Sequence, residues 1–313
     1  MKKKIGLIDV DGHNFPNIPL MKISAWHKQQ GDSVEWYNPL FHSNEELDNV
    51  YMSKVFSFSE EYQYHINAKE VIKGGSGYCI NLADGKEQYD KSKDSELPYE
   101  IEHIYPDYSI YGITDTAYGF LTRGCPRGCD FCHVEAKEGR KSYKVADLSE
   151  FWRGQKKIVL CDPNILAYKH CEDLLQQLID SKAWIDINQG LDIRLMTEKK
   201  AEMLQRMKCK IFHFAWDKYQ DKEIILPKLK MFKELTQIDI RKLVVYVLCN
   251  FDTTTEQDLD RIYTLRKMGY LPYAMLYDKD NIPRGHDLRK MQRWVNNRFI
   301  FMSCETFEEY KTK

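Results

Sequence analysis

Apolar residues along this chain fall into short runs separated by amphipathic stretches. Ile5–Val10 is a run of strand length. The next stretch, Leu20–Gln30, has helical spacing, with Leu20, Ile23, Trp26 and His27 on one side and Gly31 closing it. Val34–Tyr37, Val50–Phe58 and Glu70–Lys73 predict three further strands, the last ending at Gly74-Gly75. Strands alternating with helical stretches favour a parallel sheet, so residues 1–81 are expected to form a small α/β unit. The pattern then fades. Residues 82–116 are polar, with Lys91–Glu96 near the centre, and predict a connector.

From Ala117 the alternation returns. Predicted strands are Ala117–Thr122, Lys157–Cys161, Trp184–Asn188, Lys210–Ala215, Leu243–Cys249 and Pro272–Tyr277. Predicted helices between them include Glu172–Ser181, Thr197–Met207 with Thr197 as N-cap, Lys222–Leu235 containing Pro227, and Glu256–Lys267 closed by Gly269. Six β/α units over 117–280 argue for a parallel barrel or part of one, with chemistry at the carboxyl ends of the strands. Residues 281–313 predict a helical extension. Arg284–Arg298 is basic and carries Trp294, which suggests a nucleic-acid contact. Leu288, Met291 and Val295 fall on one side, however, and suit a helix whose basic side is a solvated face.

Composition narrows the class. A length of 313 residues suggests about two domains, and 43% hydrophobic with 30% charged residues is ordinary globular composition. The formal net charge of −1 gives no global basic field, so nucleic acid is not indicated as a partner. Asp9 and Asp11 interrupt the apolar run after Met1-Lys-Lys-Lys4, which argues against a signal peptide, and no stretch has membrane-spanning length. A cytoplasmic protein without a membrane partner is expected.

The densest chemistry is Cys125-Pro-Arg-Gly-Cys129-Asp-Phe-Cys132-His133, a C-x3-C-x2-C spacing. Three thiolates on one short loop can hold three irons of a [4Fe–4S] cluster and leave the fourth open. Zinc is the rival. It wants four ligands, and the nearby candidate, His133, directly follows Cys132, where sharing one metal is awkward. Nine cysteines are an odd number, which argues against a disulfide framework. Cys79, Cys161, Cys171, Cys209, Cys249 and Cys304 have no ligand spacing. Polar residues also follow the predicted strands: Asp162 and Asn164, Gln189 to Arg194, Asp217, Asn250, Tyr277 and Asp278. Helix capping is the commoner use of such residues. His133, His213 and His286 can move protons, but a lone histidine is more often structural, and no catalytic residue is assigned.

The cysteine loop closely resembles the signature of radical S-adenosylmethionine (radical SAM) enzymes, and six β/α units beginning at that loop resemble their architecture. The resemblance implies a [4Fe–4S] cluster on Cys125, Cys129 and Cys132, with SAM on the open iron. It also implies reductive cleavage of SAM to a 5′-deoxyadenosyl radical, and a reductant such as flavodoxin or ferredoxin. Phe131 takes the place of the aromatic residue near the adenine. Asp162 and Asn164 stand where the family binds the methionine amine, although the Gly-Gly-Glu-like turn is missing here. Gln189-Gly190-Leu191-Asp192-Ile193-Arg194 is similar to a G-x-D-x-R stretch of members related to the cobalamin-dependent class. Asp192 would then accept from ribose hydroxyls and Arg194 would hold a carboxylate. The alternative is a structural Asp–Arg pair. Asp217 and Asn250 would touch adenine, ribose or substrate.

Asp11-Gly-His13-Asn-Phe-Pro16, Ser53-Lys-Val55 and Gly74-Gly75 resemble a degraded cobalamin-binding fingerprint, whose histidine ligates cobalt. Pro16 replaces a glycine and restricts the backbone there, so any cobalamin is expected to bind without His13. The implied fold class is α/β, a small Rossmann-like, cobalamin-domain-like N-terminal unit followed by a partial (β/α)6 TIM barrel. The implied function is hydrogen abstraction from an unknown substrate, with methylation favoured if cobalamin binds. A non-catalytic zinc or redox iron–sulfur protein is the reading from another class.

Overall fold

The computed structural model describes residues 2–83 and 86–311. Residues 84 and 85 of the expected connector, and residues 312 and 313 of the expected C-terminal extension, lie outside the described residues. The chain divides into two compact units, Met1–Pro163 and Asn164–Lys313.

The first unit opens with strand β1 (Lys4–Asp9), helix α1 (Ile18–Gln29), β2 (Ser33–Trp36), α2 (Pro39–His42), β3 (Leu47–Ser53) and β4 (Ala68–Gly74). The four strands form one sheet in the order β2-β1-β3-β4, and every pair is parallel. Strand β1 is apolar on both faces because both are covered. Ile5 and Leu7 pack with Leu20 and Ile23 of α1, while Ile8 packs with Tyr37, Leu47, Val50 and Met52. Asn17 caps α1 by accepting from the Leu20 N–H (3.2 Å), and its amide donates to the Ser53 hydroxyl (2.8 Å), which fixes the helix start against the end of β3.

Strand β3 stops at Ser53 and does not run on to Phe58 as the apolar pattern predicts. The Asp11 carboxylate accepts from the N–H groups of Val55 (2.5 Å) and Phe56 (3.2 Å) and from the Ser59 hydroxyl (2.6 Å). Those bonds take the backbone out of the ladder.

The polar stretch expected as a connector belongs to the first unit. It carries a hairpin of β5 (Ile80–Ala83) and β6 (Lys86–Tyr89), then α3 (Tyr99–Glu102). Leu97, Ile101 and Ile110 pack on the core around Ile5 and Leu7. They are too sparse in the sequence to show a period. The unit continues with β7 (Thr116–Gly119), β8 (Thr122–Arg123), α4 (Val134–Glu138), β9 (Tyr143–Lys144) and β10 (Lys157–Leu160). Strands β7 and β10 are parallel, and β8 and β9 form a short antiparallel pair. The Phe151 ring lies against Gly119 and leaves no room for a Cβ there.

The second unit contains α5 (Cys171–Ser181), β11 (Trp184–Ile187), α6 (Glu198–Arg206), β12 (Phe212–Ala215), α7 (Lys222–Leu235), β13 (Leu243–Cys249), α8 (Thr255–Met268), β14 (Leu271–Leu276) and α9 (Asp287–Asn296). Strands β12, β13 and β14 form a parallel sheet with β13 in the centre. Thr197 caps α6 by accepting from the Lys200 N–H at 3.3 Å. Helix α9 packs through its apolar face. Leu288, Met291, Trp294 and Val295 are buried, and Trp294 meets Phe301 at 5.1 Å and Phe307 at 5.7 Å between ring centroids. Its polar residues also occupy the backbone of β14. Asn296 Oδ1 accepts from the Ala274 N–H (2.8 Å), while Gln292 and Asn296 donate to the Ala274 carbonyl (3.1 and 2.9 Å). These side chains use donors and acceptors that an edge strand otherwise offers to another strand. Among the described residues no helix is long and apolar enough to cross a membrane.

Candidate functional site

The cysteine loop is held at its base by the β8–β9 pair. Gly124 leaves β8 in the left-handed region (φ +78°), where a Cβ would run into the Lys141 carbonyl. Glu138, at the end of α4, closes the loop. Its carboxylate accepts from the Gly124 N–H (2.9 Å) and from Arg123 Nη1 (2.7 Å). The Arg123 guanidinium lies 3.4 Å from the Phe120 ring centroid. Cys125 N–H donates to the Gly139 carbonyl (3.2 Å), and Cys132 N–H donates to the Cys129 carbonyl (2.9 Å), which makes the inner turn. Cys125, Cys129 and Phe131 are half-buried and Cys132 is exposed. The cysteines of the described residues are thiols. Among those residues no three His, Cys, Asp or Glu side chains are drawn together as a closed metal site. The donor set itself suits an iron–sulfur cluster: three sulfur donors on one loop, short of the four ligands of structural zinc.

Asp162 sets where this loop begins. It is fully buried, and its two oxygens accept from Leu121 N–H (3.0 Å), Thr122 N–H (2.6 Å) and the Thr122 hydroxyl (2.7 Å). The predicted strand Ala117–Thr122 is therefore split into β7 and β8, with the break where Asp162 takes the backbone donors. Burial pushes the Asp162 pKa up to about 6, against the pull of these three bonds.

In the second unit, Gly190 (φ +82°) turns the chain after β11, and Leu191 N–H donates to the His213 carbonyl at 2.8 Å. Asp192 and Arg194 then meet. Asp192 Oδ1 accepts from Arg194 Nε (2.8 Å) and from its backbone N–H (3.2 Å), while Arg194 Nη1 donates to Asp221 at 2.6 Å. The Asn164 amide reaches Asp192 Oδ2 at 3.3 Å. Asp217 lies in the field of Arg194, Arg261, Asp192 and Asp221, and burial pushes its pKa up to about 6. Asn164, Asp192, Arg194 and Asp217 thus form one polar group. Gln189 is exposed. Asn250, in the left-handed region (φ +63°), donates to the Tyr277 carbonyl at 3.3 Å.

Three residues here escaped the sequence reading. Asp221 completes the clamp on Arg194. Asp258 and Arg261 form an ion pair at 2.5 Å in which both side chains are fully buried. Arg261 also donates to the carbonyls of Trp216 (2.6 Å), Asp217 (2.7 Å) and Leu248 (2.7 Å), so it pins the chain after β12 to the end of β13. The available signal was an acid and a base three apart on the apolar side of α8.

In the N-terminal sheet, the His13 ring lies 4.2 Å from Trp36 and 5.5 Å, edge-on, from Tyr111. Asp11 holds the 55–59 loop, Ser53 bonds Asn17, and the Lys54 backbone closes over Gly75. The residues that resemble a cobalamin fingerprint are therefore engaged inside this unit.

No protein-family model matches the chain. One stretch of 120 residues, 34% of this chain, is 26% identical to a CDK5RAP1-like protein of Oryza sativa subsp. japonica, and it spans only 20% of that relative's length. Two solved structures align over 88% of the chain with a TM-score of 0.58 and 10% identity. Both are TsrM, a radical S-adenosylmethionine methyltransferase from Kitasatospora setae. One holds cobalamin and a [4Fe–4S] cluster and is covered over 75% of its length. The other holds tryptophan and a SAM analogue and is covered over 73%. The chain has the fold of TsrM. It is a mixed α/β fold with parallel sheets, and the likeness at this identity is one of fold.

Proposed function

We propose that this protein is a radical SAM enzyme in which Cys125, Cys129 and Cys132 hold a [4Fe–4S] cluster. The observation that carries the reading is three thiols on one loop, closed at its base by Glu138 and Gly124, in a chain with the TsrM fold. Such a cluster with SAM on its open iron supplies a 5′-deoxyadenosyl radical for hydrogen abstraction from a substrate. The protein's residues bind and orient. Asp162 fixes the start of the loop through the Leu121 and Thr122 backbone. Phe131 offers a ring for adenine. Asp192 would accept from ribose hydroxyls, and Arg194, whose three nitrogens already donate to Asp192 and Asp221, would meet a ligand carboxylate only by giving up part of that clamp. Asn164, Gln189, Asp217 and Asn250 are proposed as further contacts to SAM or substrate.

In finer terms we read a Rossmann-like first sheet and a partial (β/α)6 barrel built from the later β/α units. A small electron-transfer protein such as flavodoxin or ferredoxin would be the reductant. TsrM holds cobalamin; we propose that any cobalamin bound by this chain is held without His13, whose ring packs on Trp36. Methylation of the substrate is the outcome we favour when cobalamin is also bound.

The test is metal content. Anaerobically purified protein should carry about four irons and four sulfides per chain, and Cys125→Ala, Cys129→Ala or Cys132→Ala should abolish the cluster. Stoichiometric zinc without iron would instead make the loop a structural zinc site.

A further inference from the structure

A cavity of about 410 Å³ opens in the first unit beside the end of β1, lined by Asp9, His13, Trp36, Glu60, Tyr62 and Tyr64 among others. Its volume falls in the lower part of the range of small-molecule sites, roughly 300–1,000 Å³. It lies at the carboxyl edge of a parallel sheet, where open α/β folds receive ligands.

Its chemistry is specific. The lining carries three carboxylates, Asp9, Glu60 and Glu61, and no lysine or arginine. Glu61 is paired with Lys54 at 2.8 Å, and Asp9 accepts from the Tyr111 hydroxyl at 2.6 Å, which leaves a net negative wall. Aromatic rings make up much of the remaining lining, beside Leu7, Ile8, Val10 and Gln63. His13 and Trp36 are 4.2 Å apart, and Tyr62 continues to Tyr64 at 5.6 Å and to Tyr37 at 6.4 Å.

Aromatic faces and carboxylates both attract cations, and both disfavour anions. A flat body can lie on the rings while an ammonium group meets the carboxylates. A ligand carrying phosphate meets like charge. We propose that this cavity binds a small organic cation, an amine with an apolar or aromatic body. The cavity shares no lining residue with the cysteine loop, and the proposal does not rest on the radical SAM reading.

Three probes of one shape and different charge test it by isothermal titration calorimetry on the full chain: phenethylamine, cationic at neutral pH, phenethyl alcohol and phenylacetate. The amine should bind at least about tenfold more tightly than the alcohol, and phenylacetate should give no saturable heat. Glu60→Gln, at an exposed position, should weaken amine binding about fivefold, and Tyr64→Leu should weaken it to a similar extent. Cys125→Ala should leave amine binding unchanged, which separates this result from the fate of the cluster. Equal affinity for alcohol and amine would overturn the proposal. So would tighter binding of phenylacetate, no saturable heat with the amine, or an unchanged affinity in Glu60→Gln.

Discussion

Replacing Asp162 by asparagine removes one buried charge and leaves the side chain nearly the same size. In the folded protein the carboxyl titrates at about 6, against 3.8 when unfolded, because burial outweighs three hydrogen bonds from Leu121 and Thr122. The sign follows from linkage. A raised folded pKa means that the folded state binds the proton more tightly, so its contribution is full below pH 3.8 and is lost as pH rises through about 6. The whole shift is worth about 3 kcal/mol at about 1.4 kcal/mol per unit. Between about pH 7.5 and about pH 5, one unit below the folded pKa, wild type should gain about 1.4 kcal/mol relative to Asp162→Asn. Urea unfolding of the two proteins at both pH values measures the difference. Parallel pH dependences would refute the reasoning, because Asp162 would then not carry the charge that burial resists. At neutral pH the variant should also hold less iron, since asparagine cannot accept from both Leu121 and Thr122 with the same geometry.

Arg261→Met should destabilise the second unit by about 3–5 kcal/mol, because it leaves Asp258 buried without its partner, and adding Asp258→Leu should recover much of the loss in thermal unfolding. Arg194→Ala or Asp192→Ala should weaken SAM binding without lowering iron content; two variants that bind SAM normally would remove these residues from the site. Protein incubated anaerobically with hydroxocobalamin and desalted should show the same visible spectrum in wild type and His13→Ala. A retained corrin whose spectrum changes in the variant would make His13 a cobalt ligand.

Local pattern carried most of the secondary structure. Helix α7 and strand β13 have the predicted limits, and Thr197 caps α6, because apolar spacing and capping chemistry act within a few residues. What the pattern missed came from bonds made at long range. Asp162 breaks the strand at Leu121 from 41 residues away, and Asp11 ends β3 early by taking the Val55 and Phe56 donors. Helix α9 read as amphipathic, yet nothing local announced that Gln292 and Asn296 would cover the Ala274 backbone. The site divides in the same way. Cysteine spacing is a covalent property and is legible directly. The Glu138 clamp and the Asp221 contact to Arg194 depend on the folded chain.

The central claim is reductive cleavage of SAM at the cysteine loop. Protein reconstituted anaerobically with iron and sulfide is mixed with SAM and dithionite, and 5′-deoxyadenosine is quantified by mass spectrometry. The account predicts 5′-deoxyadenosine from wild type and none from Cys125→Ala, Cys129→Ala or Cys132→Ala. A fully iron-loaded wild type that forms no 5′-deoxyadenosine and shows no change in the EPR spectrum of its reduced cluster on adding SAM would contradict it.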